Sequence, residues 1–132
     1  MSFKRSKYKD IVLIGKNVSI VSFSDKVHKN CLRIGNGETD SHALVKFWIY
    51  RWLRLNLFDV ITECRFKNGK RADLFVLNYG DGLAIEVVCS ETANSILDKR
   101  MSYPCKIEVL DCNKCFSKEE VFAWCEDTFS RR

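Results

Sequence analysis

Lys70-Arg71-Ala72-Asp73-Leu74-Phe75-Val76-Leu77-Asn78-Tyr79-Gly80-Asp81-Gly82-Leu83-Ala84-Ile85-Glu86-Val87-Val88-Cys89-Ser90 is the stretch from which the rest of the chain is read. Its apolar runs Ala72–Leu77 and Leu83–Cys89 flank the turn-forming residues 78–82, the pattern of a β-hairpin with a short loop. Each run carries one carboxylate, Asp73 in the first and Glu86 in the second. Side chains alternate across a strand, and the short loop restricts the register to about two choices. With both acids on one face, they stand directly opposed or one diagonal step apart. Carboxylates that close repel unless a cation sits between them. The spacing suits a hard divalent cation held by few protein oxygens, with positions left for water and phosphate. The plainer reading is a half-exposed hairpin whose acids face water; a pair in such apolar runs favours a site.

Around this hairpin, 132 residues rich in apolar and aromatic side chains, with one proline, are enough for one domain with a proper core. No stretch is long and apolar enough to span a membrane, and the charged start is not that of a signal peptide. The expectation is a cytoplasmic protein without a membrane partner, its seven cysteines held as thiols. The net charge of +5 is uneven. Residues 1–37 carry eight Lys/Arg against two Asp, whereas residues 38–132 carry fourteen Lys/Arg against fifteen Asp/Glu. A basic arm on a near-neutral body suggests a polyanionic partner, nucleic acid before membrane surface; a solvated, solubilising tail is the competing reading.

In chain order, Lys4, Arg5, Lys7 and Lys9 are interleaved with Phe3 and Tyr8, a composition suited to phosphate contacts. Ile11–Ile14 and Val18–Phe23 bracket Gly15-Lys16-Asn17 and read as a hairpin. Glu38–Leu57 is the clearest helix, with Leu44, Val45, Trp48, Ile49, Trp52 and Leu53 as its buried stripe. Along one edge Glu38, His42 and Lys46 follow at intervals of four. His42 is open to three readings: metal ligand, phosphate donor, or surface histidine near a helix cap. His28 has no recognisable partner. Phe58–Phe66 alternates as a strand carrying Glu63, so three strands make an antiparallel meander. Ser90 is expected to cap a helix over Glu91–Ser102, with Ala93, Ile96, Leu97 and Met101 packed inward and Thr92, Ser95 and Lys99 on a polar face. Cys105–Leu110 reads as a further strand. Ser117-Lys118-Glu119-Glu120 is a capping box for a terminal helix that buries Val121, Phe122, Cys125 and Phe129.

Glu38, then Glu63 on a strand, Arg71-Ala72-Asp73 on the next and Ile85-Glu86-Val87 on the third, followed by a helix and a strand, resemble the PD-(D/E)XK nuclease superfamily, nearest its restriction-endonuclease-like and Holliday-junction-resolvase-like members. The resemblance covers about residues 38–111. It implies an α/β fold: a restriction-endonuclease-like αβββαβα core with a mixed sheet, to which the N-terminal β-hairpin is an extension. The expected organisation is thus a basic arm and hairpin over 1–37 and a nuclease-like core over 38–132. The resemblance also implies that Asp73 and Glu86 hold Mg²⁺ or Mn²⁺, with Glu38 assisting directly or through water. One position departs from the pattern: where the superfamily carries a lysine two residues after the second acid, this chain has Val88. Lys99 on the following helix is the natural replacement, ahead of Lys70 and Lys46.

The resulting expectation is a metal-dependent DNA endonuclease acting as a homodimer. Its catalytic residues are Asp73, Glu86, Lys99 and Glu38, and its DNA contacts are Lys4, Arg5, Lys7, Lys9, His42, Lys46, Lys70 and Arg71. Val88 keeps a second reading open, a nucleic-acid-binding module of the same fold that has lost the reaction. A third reading, of another class, builds a zinc- or thiol-dependent interaction protein on Cys112-Asn-Lys-Cys115, with Cys105 or Cys125 completing a site.

Overall fold

The computed structural model describes residues 10–14, 18–22, 29–89, 91–114 and 117–130, the first two segments as backbone only. Thus Lys4, Arg5, Lys7, Lys9, His28 and Cys115 lie outside the described residues. The elements are β1 (Asp10–Ile14), β2 (Val18–Ser22), α1 (Asp40–Leu55), β3 (Val60–Phe66), β4 (Arg71–Val76), β5 (Leu83–Val88), α2 (Ala93–Ser102), β6 (Lys106–Asp111) and α3 (Lys118–Ser130). From α1 onward this is the order αβββαβα. The six strands form one sheet in sequence order, antiparallel from β1 to β5, with β6 parallel to β5. The expected N-terminal hairpin therefore extends the sheet, Ile20 pairing with Phe66.

α1 and α3 cover one face. Val45, Ile49, Trp52 and Leu53 from α1 and Val121, Cys125 and Phe129 from α3 pack on Leu74, Val76, Leu83, Ile85 and Val87. The α1 stripe is narrower than its sequence suggests: Leu44 falls on its flank and is half exposed, while Lys46 is buried. The helix starts at Thr39, whose hydroxyl accepts the His42 N–H at 3.2 Å, so Glu38 precedes the first turn. The capping box of α3 forms as expected, with Glu120 N–H donating to Ser117 Oγ and Ser117 N–H donating to the Glu120 carboxylate, both at 3.1 Å.

The opposite face buries Ile61, Cys64, Phe66, Ala72, Phe75, Ala84 and Ile107, closed by Tyr103. α2 crosses on this side without burying any residue of its own. Its cap is Thr92, not the expected Ser90, which lies outside the described residues. The inward packing expected of Ala93, Leu97 and Met101 does not occur, and Met101 is 79% exposed. Tyr103, just past the helix end, supplies the apolar cover that the helix side chains would have supplied. At the hairpin turn Gly82 has φ +104°, and a Cβ there would run into the Phe75 ring, so only glycine fits.

The central strands carry one irregularity. Ile61 and Cys64 face the same side, as do Ala72 and Phe75, so β3 and β4 both change faces at the opposed positions Glu63 and Asp73. Glu63 takes φ +51°, a left-handed conformation that non-glycine residues seldom adopt.

Candidate active site

Regular pairing of β4 with β5 runs from Val76↔Leu83 to Leu74↔Ile85 and stops. The next two residues across the hairpin are Asp73 and Glu86, directly opposed. Their side chains enter the opened ladder: Glu86 Oε2 accepts the Asp73 N–H and Asp73 Oδ2 accepts the Val87 N–H, both at 2.9 Å. Each carboxylate satisfies a backbone donor that the interrupted ladder leaves over. Glu86 is buried, and its Oε1 also meets the Tyr103 hydroxyl, which lies 2.7 Å from the Arg71 carbonyl.

The surroundings shift the two acids in opposite directions. Burial, then the Asp73 charge, pushes Glu86 up to about 8, against a weaker pull from Tyr103. Burial also works against the Asp73 charge, but hydrogen bonds from His42 and with Glu86 outweigh it and hold Asp73 below its ordinary value. His42 is the balancing cation. Its Nε2 lies 3.3 Å from Asp73 Oδ2 and its Nδ1 2.5 Å from Glu38 Oε1, and the hydrogen bond to Asp73 is the largest cause raising it to about 9.

Glu38 is fully engaged. Its Oε1 takes His42, and its Oε2 accepts the Gly35 N–H and the Lys46 ammonium, the latter at 3.2 Å. Lys46 is 0% exposed and also pairs with Glu63 at 3.3 Å. The expectation that Lys46 touches DNA is therefore corrected: its charge is spent inside the fold, between two glutamates. Glu38 presents its oxygens to Gly35, His42 and Lys46.

Lys99 reaches the site from α2. Its Nζ is 2.7 Å from Glu91 Oε1 and 3.8 Å from Glu86 Oε1. Burial disfavours its charge, but the Glu91 hydrogen bond and the surrounding carboxylates raise its pKa above the ordinary lysine value. These groups line a cleft of about 570 Å³ that also takes in the Gly35-Asn36-Gly37 turn and Arg71. Lys70 and Arg71 are exposed. Among the described residues, no three His, Cys, Asp or Glu side chains converge as a closed metal cage. Two facing carboxylates, one with its charge disfavoured by burial and by its neighbour, fit a hard cation that keeps most of its positions for other ligands.

Tyr103 and Glu91 went unread in the sequence. Glu91-Ser95-Lys99 follow at intervals of four and join through Ser95 Oγ–Glu91 at 3.0 Å, a spacing that reveals Glu91. Tyr103, an aromatic residue before a proline, carries no comparable signal.

An αβββαβα core with opposed acids where its central hairpin opens defines a nuclease-like domain. The family model of the nuclease-like domain of competence protein CoiA matches residues 38–107, from Glu38 through α1, β3–β5 and α2 into β6. This is more than half of the chain, and the chain belongs to that family. The match fits the resemblance to the PD-(D/E)XK superfamily. Comparison with curated proteins and with solved structures gave no match.

Proposed function

We propose that this chain is a metal-dependent DNA endonuclease of the PD-(D/E)XK type. The observation that carries the reading is the opposed Asp73–Glu86 pair, with the Lys99 ammonium 3.8 Å from Glu86 in an open cleft. Asp73 and Glu86 hold Mg²⁺ or Mn²⁺, which supplies an activated water and positive charge for the scissile phosphate. Lys99 stands in for the lysine absent at Val88, orienting the attacking water and donating to a phosphate oxygen. Glu38 fixes the His42 ring, and His42 in turn holds the Asp73 carboxylate in place. Lys70 and Arg71 on the exposed rim, with Lys4, Arg5, Lys7 and Lys9 of the arm, contact the DNA backbone. A homodimer supplies a second site for the second strand.

The test is incubation with supercoiled, linear and branched DNA, with and without Mg²⁺ or Mn²⁺. Cleavage that depends on the cation is expected, and Lys99→Ala lowers it by about 10²-fold while DNA binding and melting temperature stay close to wild type. One observation favours a second reading: Lys99 is already tied to Glu91 at 2.7 Å, as in a site whose lysine serves structure. That reading, a binding module without activity, is adopted if DNA binds and no cation produces cleavage. Cys112 is bonded to Cys89, so the pairing with Cys115 expected for a zinc site finds no support among the described residues.

A further inference from the structure

Cys89 and Cys112 are joined as a disulfide, with Cα atoms 5.4 Å apart. They are the first residues beyond β5 and β6, whose parallel register ends at Val88↔Asp111, and Cys112 N–H donates to the Val88 carbonyl at 2.8 Å. Cys112 is buried, whereas Cys89 borders the cleft. Glu86 stands three residues before Cys89 and Glu91 two residues after it.

The attachment of α2 differs at its two ends. Its C-terminal end is fastened by Arg100 Nη1 to the Ile107 carbonyl at 2.9 Å, by Asn68 Nδ2 to the Ser102 carbonyl at 2.8 Å, and by buried Tyr103. Among the described residues, the hydrogen bonds and ion pairs of residues 91–98 stay within the helix and its lead-in. No α2 side chain is buried. The lead-in and first turn, which bring Glu91 to the cleft, are therefore held by the chain at Cys89, by the bond that ties Cys89 to β6, and by Lys99, which joins Glu91 to Glu86.

We propose that Cys89–Cys112 is a redox modification site that couples thiol–disulfide exchange to the placement of Glu91, the hydrogen-bond partner of Lys99. As far as activity is concerned, this rests on the nuclease reading above. The reagents are thiols and disulfides of low molecular weight. A thiolate attacks Sγ of Cys89, the sulfur at the cleft; the S–S bond breaks and Cys112 leaves as a thiolate that takes a proton from water. A second thiolate attacks the outer sulfur of the mixed disulfide and releases Cys89. Two external thiols are oxidised to one disulfide, and the protein gains two electrons and two protons. The reverse reaction consumes an external disulfide.

The experiment uses the full chain and its Cys89→Ser/Cys112→Ser variant, each equilibrated with oxidised or reduced dithiothreitol. Alkylation with mass mapping reads the two thiols, hydrogen exchange reads the amides of residues 95–103, and DNA cleavage with Mn²⁺ reads the site. In wild type, reduction is expected to expose both thiols and to speed exchange of the Ser95 and Ile96 amides, which donate to Thr92, by about tenfold, with the Tyr103 amide, which donates to the Lys99 carbonyl, unchanged. Cleavage falls by about tenfold, because the Lys99 ammonium, without Glu91 to hold it, is no longer oriented on its target. The double variant matches reduced wild type under both conditions. Free alkylation of Cys89 and Cys112 in oxidised protein overturns the proposal, as does exchange at Ser95 and Ile96 that ignores the redox state. Cleavage unchanged by reduction overturns the coupling to activity. If exchange responds but no condition gives cleavage, the redox site stands and the nuclease reading falls.

Discussion

The two halves of the β4–β5 hairpin are built from similar residues and do opposite things. Next to the turn, Val76↔Leu83, Phe75↔Ala84 and Leu74↔Ile85 pair regularly, and all six side chains are buried, between them serving both faces of the sheet. One step further, Asp73 and Glu86 replace the next apolar pair, and the ladder opens. In the closed half, strand donors meet strand acceptors and side chains fill the core. In the open half, the side chains take the backbone donors, and the strand ends separate enough to give a cleft. A buried acid in a strand thus changes more than local polarity: it competes with the ladder for hydrogen bonds and so shapes the site that it occupies.

Single substitutions on the two sides separate these roles most sharply. Asp73→Asn keeps the size of the side chain and an oxygen for the Val87 N–H. Cleavage should nonetheless fall on the order of thousandfold, the upper end for loss of one preorganised electrostatic group. Leu74→Ala, one residue along, should cost about 3 kcal/mol of stability through lost burial and a cavity. Below its lowered melting temperature, that variant keeps most of its activity. Gel-based cleavage and thermal denaturation of both variants check the contrast. A fully active Asp73→Asn variant would remove the open half from the chemistry.

The next effect is smaller and concerns charge. Glu86 is raised from its ordinary value to about 8, so the fold favours the protonated acid. Its contribution to stability is complete below its unfolded pKa, near the usual glutamate value, and is lost as pH rises through about 8. His42, raised to about 9, adds a loss at the upper end of the same window. In EDTA the wild type should therefore lose stability steadily from about pH 5 to pH 9. Glu86→Gln should flatten the lower part, gaining on the order of 2 kcal/mol over wild type near pH 8. Mn²⁺ should restore the wild type and leave the variant unmoved. Parallel wild-type and variant curves in EDTA, from melting temperatures across that range, would contradict the charge assignment.

The closed half was legible because burial follows alternation. Apolar runs, turn residues and the helix period gave the order of elements and brought Asp73 and Glu86 either opposite or one diagonal step apart; the register makes them opposed, and the family match agrees with the order. The place of Lys99 near the acids was legible because α2 follows β5 directly and turns its polar edge to the cleft. What could not be read depends on distances across the fold. Glu38, His42 and Lys46 looked alike at intervals of four, yet one is engaged on all sides, one bridges two acids and one is wholly buried. The pair Asp73–Glu86 looked symmetric, but His42 compensates only Asp73. The exposed face of α2 was misjudged because periodicity marks an apolar stripe without showing whether anything stands opposite it.

The smallest effect tests why the ladder opens at this level of the sheet. Glu63 on β3 lies level with Asp73 on β4, between the pairs Thr62↔Leu74 and Cys64↔Ala72, and holds φ +51°, with its carboxylate on the buried Lys46 ammonium. In an ordinary strand, alanine is more stable than glycine, by about 0.5–1 kcal/mol. A left-handed backbone reverses that order, since only a residue with a Cβ is strained there, at roughly 1–2 kcal/mol. Glu63→Ala and Glu63→Gly both leave Lys46 with Glu38 as its remaining carboxylate partner, so their difference isolates the backbone. Glu63→Gly should be the more stable of the two by about 1 kcal/mol, measured by urea denaturation at one pH. If Glu63→Ala is as stable or more so, β3 runs straight through this position. The opening beside Asp73 then belongs to the two acids alone, without help from the strand behind them.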